Sequence, residues 1–175
     1  MCGTHRIPRR YCGEAVSRRF PSVCAQDLDG TALEVPQALA GDPSVVIVAF
    51  ERGQQAMVDS WLPWLSELQS LSSGIEVYEM PTISRRWLPA RRLIDGGMRA
   101  AIPDPVTRRH TITTYTDVGA VLEALGLDGT TTIAVVVVDP GGTILWQGLG
   151  GYRATLAAEL AEAVTIARPP RGTGS

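Results

Sequence analysis

The side chains able to act as nucleophiles or metal ligands are few, and most come early in the chain. The cysteines are Cys2, Cys12 and Cys24 and the histidines are His5 and His110, so no thiol follows Cys24. A cysteine attacks or exchanges disulfides as its thiolate, which needs a helix N-terminus or a neighbouring cation to stabilise it. Three cysteines at irregular spacing make no disulfide framework and fit a reducing compartment. Cys2, His5 and Cys12 offer soft ligands, but no fourth stands at a familiar zinc spacing, so neither a metal site nor a cofactor is expected. His110 precedes a predicted strand with no serine, cysteine or carboxylate pattern to complete a catalytic dyad, and reads as a surface or edge-strand histidine. Cys24 reads as a buried or half-buried structural cysteine. No catalytic residue is assigned.

The 175 residues suffice for about one domain, and 45% hydrophobic with 19% charged residues is a globular composition. All 16 basic residues are arginine against 18 acidic ones, and a net charge of -2 is too small to hold nucleic acid by charge. The apolar run Ile133 to Val138 has strand length and cannot span a membrane. Arg6, Arg9 and Arg10 are followed by Glu14, Arg18 and Arg19 rather than an apolar stretch, so no secretory signal is read and the cytoplasm is the expected location. Residues 1–19 read as a disordered leader and 167–175 as a disordered tail, leaving 20–166 as the folded domain.

Within that domain, strands and helices alternate. Asp29-Gly30 signals a turn, and Thr31 to Val35 reads as a strand of an N-terminal hairpin. Val45 to Phe50 is continuously apolar and β-branched, the pattern of a strand buried on both faces. From Gln54 the period becomes helical, with Met57, Trp61, Trp64, Leu65, Leu68 and Leu71 on one stripe and Pro63 expected to kink it. Ile75 to Met80 reads as a strand ending at Pro81. Thr111 to Tyr115 reads as another, followed by a helix capped by Thr116 or Asp117 and ended by Gly126. Ile133 to Val138 and Thr143 to Leu149 read as strands joined at Asp139-Pro140-Gly141-Gly142, and Tyr152 to Ala167 as a closing helix. This order predicts an α/β fold, a three-layer sandwich whose mixed central sheet carries an N-terminal hairpin and a C-terminal β-hairpin plus helix.

The residues that carry a family likeness now have places. Phe20 to Pro36 (F-P-S-V-C-A-Q-D-L-D-G-T-A-L-E-V-P) and Val136 to Gly150 (V-V-V-D-P-G-G-T-I-L-W-Q-G-L-G) resemble segments of thioredoxin-like and peroxiredoxin-like proteins. Val45 to Val58 sits where those enzymes carry strand, active-site loop and helix. Laid over a loop of the form A-T-W-C-P-P-C, Glu51 to Met57 puts Gln54 and Met57 at the cysteine positions. Neither side chain can form a thiolate or a disulfide. The place of the family's cis-proline falls near Thr132 or Ile133, where there is none. Tyr78 to Ile83 (Y-E-M-P-T-I) and Gly96 to Asp104 (G-G-M-R-A-A-I-P-D) resemble the mitochondrial ATP synthase assembly-factor family and its uncharacterised bacterial relatives. That resemblance implies a cysteine-less interaction or assembly role.

An insert from Ser84 to Pro105 holds five of the 16 arginines, Arg85, Arg86, Arg91, Arg92 and Arg99. Trp87, Leu88, Leu93, Ile94 and Met98 lie among them. A helical segment broken by Pro89 and by Gly96-Gly97 would show a mixed Trp-and-Arg surface, suited to a protein partner or to peripheral contact with anionic lipid. The bland alternative packs the apolar residues under the sandwich and leaves the arginines solvated. Arg99 has Asp95, Asp104 and Glu51 as possible ion partners, or a partner's carboxylate or phosphate. The loop Glu51-Arg52-Gly53-Gln54-Gln55 opens a helix and is a second contact candidate, for protein or, less suitably because of Glu51, for an anion. The expected function is therefore non-catalytic protein binding, assembly-factor or chaperone-like, through Glu51, Arg52, Gln54, Gln55 and the Arg/Trp insert. The alternative is a peroxidase or thiol oxidoreductase working through Cys24.

Overall fold

The computed structural model describes residues 18–167. In chain order it contains β1 (Val23–Asp27), β2 (Ala32–Val35), β3 (Ser44–Ala49), α1 (Gln55–Leu71), β4 (Glu76–Ser84), α2 (Arg91–Ala101), α3 (Pro105–His110), β5 (Ile112–Thr116), α4 (Val118–Leu125), β6 (Ala134–Val138), β7 (Ile144–Leu149) and α5 (Ala154–Ala167). Short 3-10 segments, Arg52–Gln54 and Arg85–Ala90, precede α1 and α2. The strands form one sheet in the order β2-β1-β5-β4-β3-β6-β7. β3, β4 and β5 run parallel; the other pairings are antiparallel.

The pleat decides the layers. Alternate residues of a strand face opposite sides, so Val46 and Val48 meet Tyr78, Met80, Ile112, Val136 and Val138 on one face, under Val121 and Leu125 of α4. Val45 and Ile47 meet Val135 and Val137 on the other, under Trp61 and Leu65 of α1 and Leu160 and Val164 of α5. β3 and β6 are buried on both sides, which is why both read as unbroken apolar runs. The expected three-layer sandwich with a hairpin at each end of the chain is the observed one.

Three local expectations are corrected. β4 does not stop at Pro81: it continues to Ser84, with Pro81 in register with Ala49 of β3 and Thr82–Ser84 in register with β5. The proline's missing N–H falls where β4 changes partner, a place where a strand tolerates it. Gly96-Gly97 does not break the insert, because α2 runs through both and is held by an Arg91–Asp95 pair at 3.2 Å and by Tyr115 Oη donating to Asp95 at 2.9 Å. Finally, α3 lies within a stretch read only as irregular chain. Asp104 caps it by accepting from the Thr107 N–H at 2.7 Å, and Pro105 takes the first turn.

The folded boundary expected at residue 20 starts earlier, since Arg18 and Arg19 already join the structure. Ile144 N–H donates to the Arg18 carbonyl at 2.8 Å and Arg19 bridges Thr143. The rest of the leader, with Cys2, His5 and Cys12, and the tail from residue 168 lie outside the described residues. Among the described residues no helix is long and apolar enough to cross a membrane.

Asp117 caps α4 as expected, accepting from the Gly119 and Ala120 N–H groups, and Gly126 ends it in the left-handed region at φ 63°. A Cβ at Gly126 would also stand 2.6 Å from the Arg18 guanidinium. Gly126→Ala is therefore expected to cost about 1–2 kcal/mol in urea denaturation, and an unchanged midpoint would contradict the left-handed cap.

Candidate functional site

The carboxyl ends of β3, β4 and β5 lie at one end of the sheet, where an open α/β sheet gathers the loops that meet ligands. The loop 51–55 leaves β3 there and the segment Arg85–Ala90 leaves β4 there. Val48 pairs with Ala134 and Ala134 with Leu149, which brings the chain before β6 and the chain after β7 to the same end. The topology thus brings the 51–55 loop and the Arg85–Ala90 segment to one end of the sheet, while α2 runs back along it and sets Arg99 beside Asp29 at the other end, where Asp27 pairs with Ile112.

Gln54 is the centre of the loop and is only 3% exposed. Its Oε1 accepts from the Phe50 N–H at 2.8 Å and the Glu51 N–H at 3.2 Å, and its Nε2 donates to the Thr130 carbonyl. Thr130 Oγ1 donates to Glu51 Oε1 at 2.6 Å, a second tie between the same segments. Gln54 is the residue that the family resemblance lays over the first cysteine of the A-T-W-C-P-P-C loop. Here both ends of the amide hold backbone groups, joining the first turn of α1 to the chain before β6. Met57, at the second cysteine position, is half-buried against the core under α1. Beside it Ser60 Oγ accepts from the Tyr152 N–H at 2.9 Å and Trp61 Nε1 donates to the Gly150 carbonyl at 3.0 Å. Trp61 and Tyr152 meet edge to face with centroids 5.5 Å apart. An amide bonded at both ends and a thioether supply no thiolate pair for a soft metal. Among the described residues no group of three or more His, Cys, Asp or Glu side chains is placed to hold a metal ion.

Of the other loop candidates, Glu51, Arg52 and Gln55 are exposed. Gln55 Nε2 donates to Asp59 at 2.8 Å. The Glu51 carboxylate stands at the helix opening and opposes an anion there. Cys24 is exposed on β1, not buried as expected. The alternation of a two-sided strand faces it away from Ala25, which takes the core. β1 is three strands from β3, about 14 Å at roughly 4.8 Å per strand, so the thiol is far from the first turn of α1.

The insert turns only some of its apolar residues inward: Ile94 and Met98 are half-buried. Trp87 is 50% exposed, Leu88 45% and Leu93 81%, and neither Arg85–Ala90 nor α2 contains a buried residue. Arg85, Arg86 and Arg92 are exposed, and no ion pair joins any of them to the described residues; Arg86 stacks over Trp87 at 5.9 Å. Arg91 pairs with Asp95 and lies 5.5 Å over the Tyr115 ring. Arg99 takes none of the three expected partners: it lies 3.6 Å from Asp29 in the β1–β2 turn, which also holds Arg108 at 2.9 Å. Asp95 is taken by Arg91 and Tyr115, Asp104 by its capping role and Glu51 by Thr130. Burial, reinforced by the bond to Asp95 and its charge, pushes the Tyr115 hydroxyl well above its ordinary range.

Sequence reasoning missed Thr130, Tyr115, Asp29 and Ser60. Each meets its partner only across the fold, and nothing in the local pattern marks it. His110 closes α3 rather than sitting on an edge strand. Its Nδ1 faces the Val106 carbonyl and its Nε2 faces Glu76, each at 2.9 Å. With Glu79, Leu62, Leu65 and Val77 it lines a cleft of about 290 Å³ between α1 and α3. Burial raises the Glu79 carboxyl above its ordinary value, the nearby Asp59 charge adds to the rise, and a bond from Gln55 opposes it.

No protein-family profile matches the chain and no curated protein matches it in sequence. Solved structures do match in fold. A candidate electron transfer protein from Aquifex aeolicus VF5 aligns over 87% of this chain and 97% of its own, with TM-score 0.63 and 16% identity. Yeast Sco1 with copper bound aligns over 88% and 97%, with TM-score 0.58 and 16% identity. The thioredoxin domain of a thiol-disulfide oxidoreductase from Bacteroides vulgatus aligns over 87% and 99%, with TM-score 0.53 and 20% identity. The fold is thioredoxin-like.

Two outcomes are expected. Gln54→Leu strands the Phe50 and Glu51 amides beside an apolar side chain and should cost about 2 kcal/mol in urea denaturation; a neutral effect would mean the loop is not held by that amide. For Glu79, a folded-state value above the unfolded one means the folded protein holds the proton more tightly. Ionisation therefore lowers stability as pH rises past the ordinary carboxylate value of about 4.3, and the loss is complete once pH exceeds the raised value. Glu79→Gln should raise the melting temperature at pH 7 and leave it nearly unchanged at about pH 3.5; a gain of equal size at both would point to a different cause.

Proposed function

We propose that the protein works by binding a protein partner, in an assembly-factor or chaperone-like role, and not by thiol chemistry. The observation that carries this reading is Gln54: the side chain at the nucleophile position is an amide, and it is used up in holding backbone. The amide nitrogen is no nucleophile at neutral pH, and Met57 cannot exchange with a disulfide. The exposed Trp87, Leu88 and Leu93 beside Arg85, Arg86 and Arg92 supply the residue types that anchor protein interfaces, at the end of the sheet where the 51–55 loop also lies. The resemblance of Tyr78 to Ile83 and Gly96 to Asp104 to the ATP synthase assembly-factor family supports the same reading. Peripheral contact with anionic lipid through the insert is compatible with it.

A second reading rests on the exposure of Cys24, which leaves its thiol open to a substrate. The two separate in one pair of measurements. Affinity capture from the native cell should return a protein that drops at least tenfold when Arg85, Arg86 and Arg92 are changed to Ser, with the circular dichroism unchanged. Insulin reduction and peroxide consumption should both stay at the buffer rate. Turnover that disappears in Cys24→Ser would establish the thiol reading instead.

A further inference from the structure

The cleft between α1 and α3 combines apolar walls with a carboxylate that has no cation beside it. Leu62 and Leu65 come from α1, Val77 from β4 and Val106 from α3, around a space of about 290 Å³. Pockets for small organic ligands begin at roughly 300 Å³. The space stays open because polar contacts rather than apolar packing hold α3. His110 Nε2 faces Glu76 at 2.9 Å, Arg108 reaches Asp29 at 2.9 Å, and the helix contains no buried residue. Val106, which lines the cleft, is 53% exposed as a result.

Glu79 gives the cleft its charge. It stands two residues along β4 from Val77, on the sheet face that α1 covers. Its side chain is half-buried, yet the ion pairs among the described residues join Arg91, Arg99, Arg108 and His110 to other acids. The chain has no lysine to offer. Burial and the nearby Asp59 charge raise the Glu79 carboxyl, and a cation set against it would restore the ionised form.

We propose that this cleft binds a small organic cation, a primary amine on an apolar stem, with the ammonium against Glu79 and the stem along Leu62, Leu65, Val77 and Val106. The inference is independent of the protein-binding reading, which uses the insert and the 51–55 loop. A neutral ligand would bury the carboxylate unpaired, and an anion would meet Glu76, Glu79 and Asp59. A bare divalent ion needs several oxygen ligands, and among the described residues no three acidic, His or Cys side chains are placed to supply them. Free amines and lysine side chains carry the same alkylammonium group, and the test separates these two sources.

The test is titration of the full chain at pH 7 with n-hexylamine, read by calorimetry and by methyl chemical shifts. Hexylamine should bind, with shifts concentrated on Leu62, Leu65, Val77 and Val106. Hexan-1-ol has the stem without the charge and n-propylamine the charge with a shorter stem; each should bind at least about tenfold more weakly. Glu79→Gln should also weaken hexylamine at least about tenfold while keeping the raised melting temperature expected above, which separates lost binding from lost folding. Val106→Arg sets a guanidinium of the chain's own on the cleft and should weaken hexylamine to a similar extent, with unchanged circular dichroism. The proposal is overturned if hexylamine does not bind, if hexan-1-ol matches it, if Glu79→Gln or Val106→Arg binds it undiminished, or if the shifts fall elsewhere. A peptide, acetyl-Leu-Lys-Leu-amide, that binds the cleft more tightly than hexylamine would overturn the small-molecule assignment in favour of a partner's lysine.

Discussion

The burial of β3 on both faces and along both edges is the constraint on which the rest depends. Val45, Val46, Ile47 and Val48 are wholly excluded from solvent, so the strand must be paired on each side and roofed above and below. Its parallel pairing with β4 demands a crossover, which α1 provides on one face, and its antiparallel pairing with β6 commits the second half of the chain to the other edge. α4 then closes the opposite face. Once these pairings are made, the carboxyl end of β3 opens on the first turn of α1, and the chain before β6 is bonded to it there.

At that end of the sheet, side chains of the 51–55 loop and of the first turns of α1 hold distant segments of the chain together. Gln54 bonds to two amides on its own side and to a carbonyl 76 residues further along. Glu51 adds a second tie to Thr130. Trp61 and Ser60 fasten the chain after β7 to α1 in the same way. A buried amide with three partners is stable where a thiolate would need solvent access and a stabilising dipole. The exposed chemistry lies one strand over, on the insert, where arginine, tryptophan and leucine face outward.

The insert is also where local pattern and tertiary arrangement part most clearly. Its amphipathic character is plain from the spacing of its arginines and apolar residues. Amphipathicity states that a helix has two faces without stating which one is turned inward. Tyr115 and Asp29, both distant in sequence, supply polar partners for Arg91, Asp95 and Arg99, and the helix so held half-buries Ile94 and Met98 while leaving Leu93 exposed. The same kind of distant partner explains Pro81, which a local rule places at a strand end and the sheet places at a change of neighbour. α3 was closer to being legible, since Asp104-Pro105 is a capping pair, but six residues with little apolar periodicity make a weak signal.

The sequence by itself determined the layered architecture, because runs such as Val45 to Val48 and Ile133 to Val138 can be buried only in a sheet covered on both faces. It also determined that no thiol stands at residues 54 or 57, and it narrowed the caps of α4 to Thr116 or Asp117 at the start and Gly126 at the end, since caps act through their own neighbours. The tertiary structure decided what Gln54 is for, where Cys24 lies relative to α1, which acid holds Arg99 and which side of α2 meets the world. Each of these depends on a hydrogen bond or ion pair between segments far apart in the chain, and such pairings are selected by the geometry of the whole sheet rather than by the residues on either side.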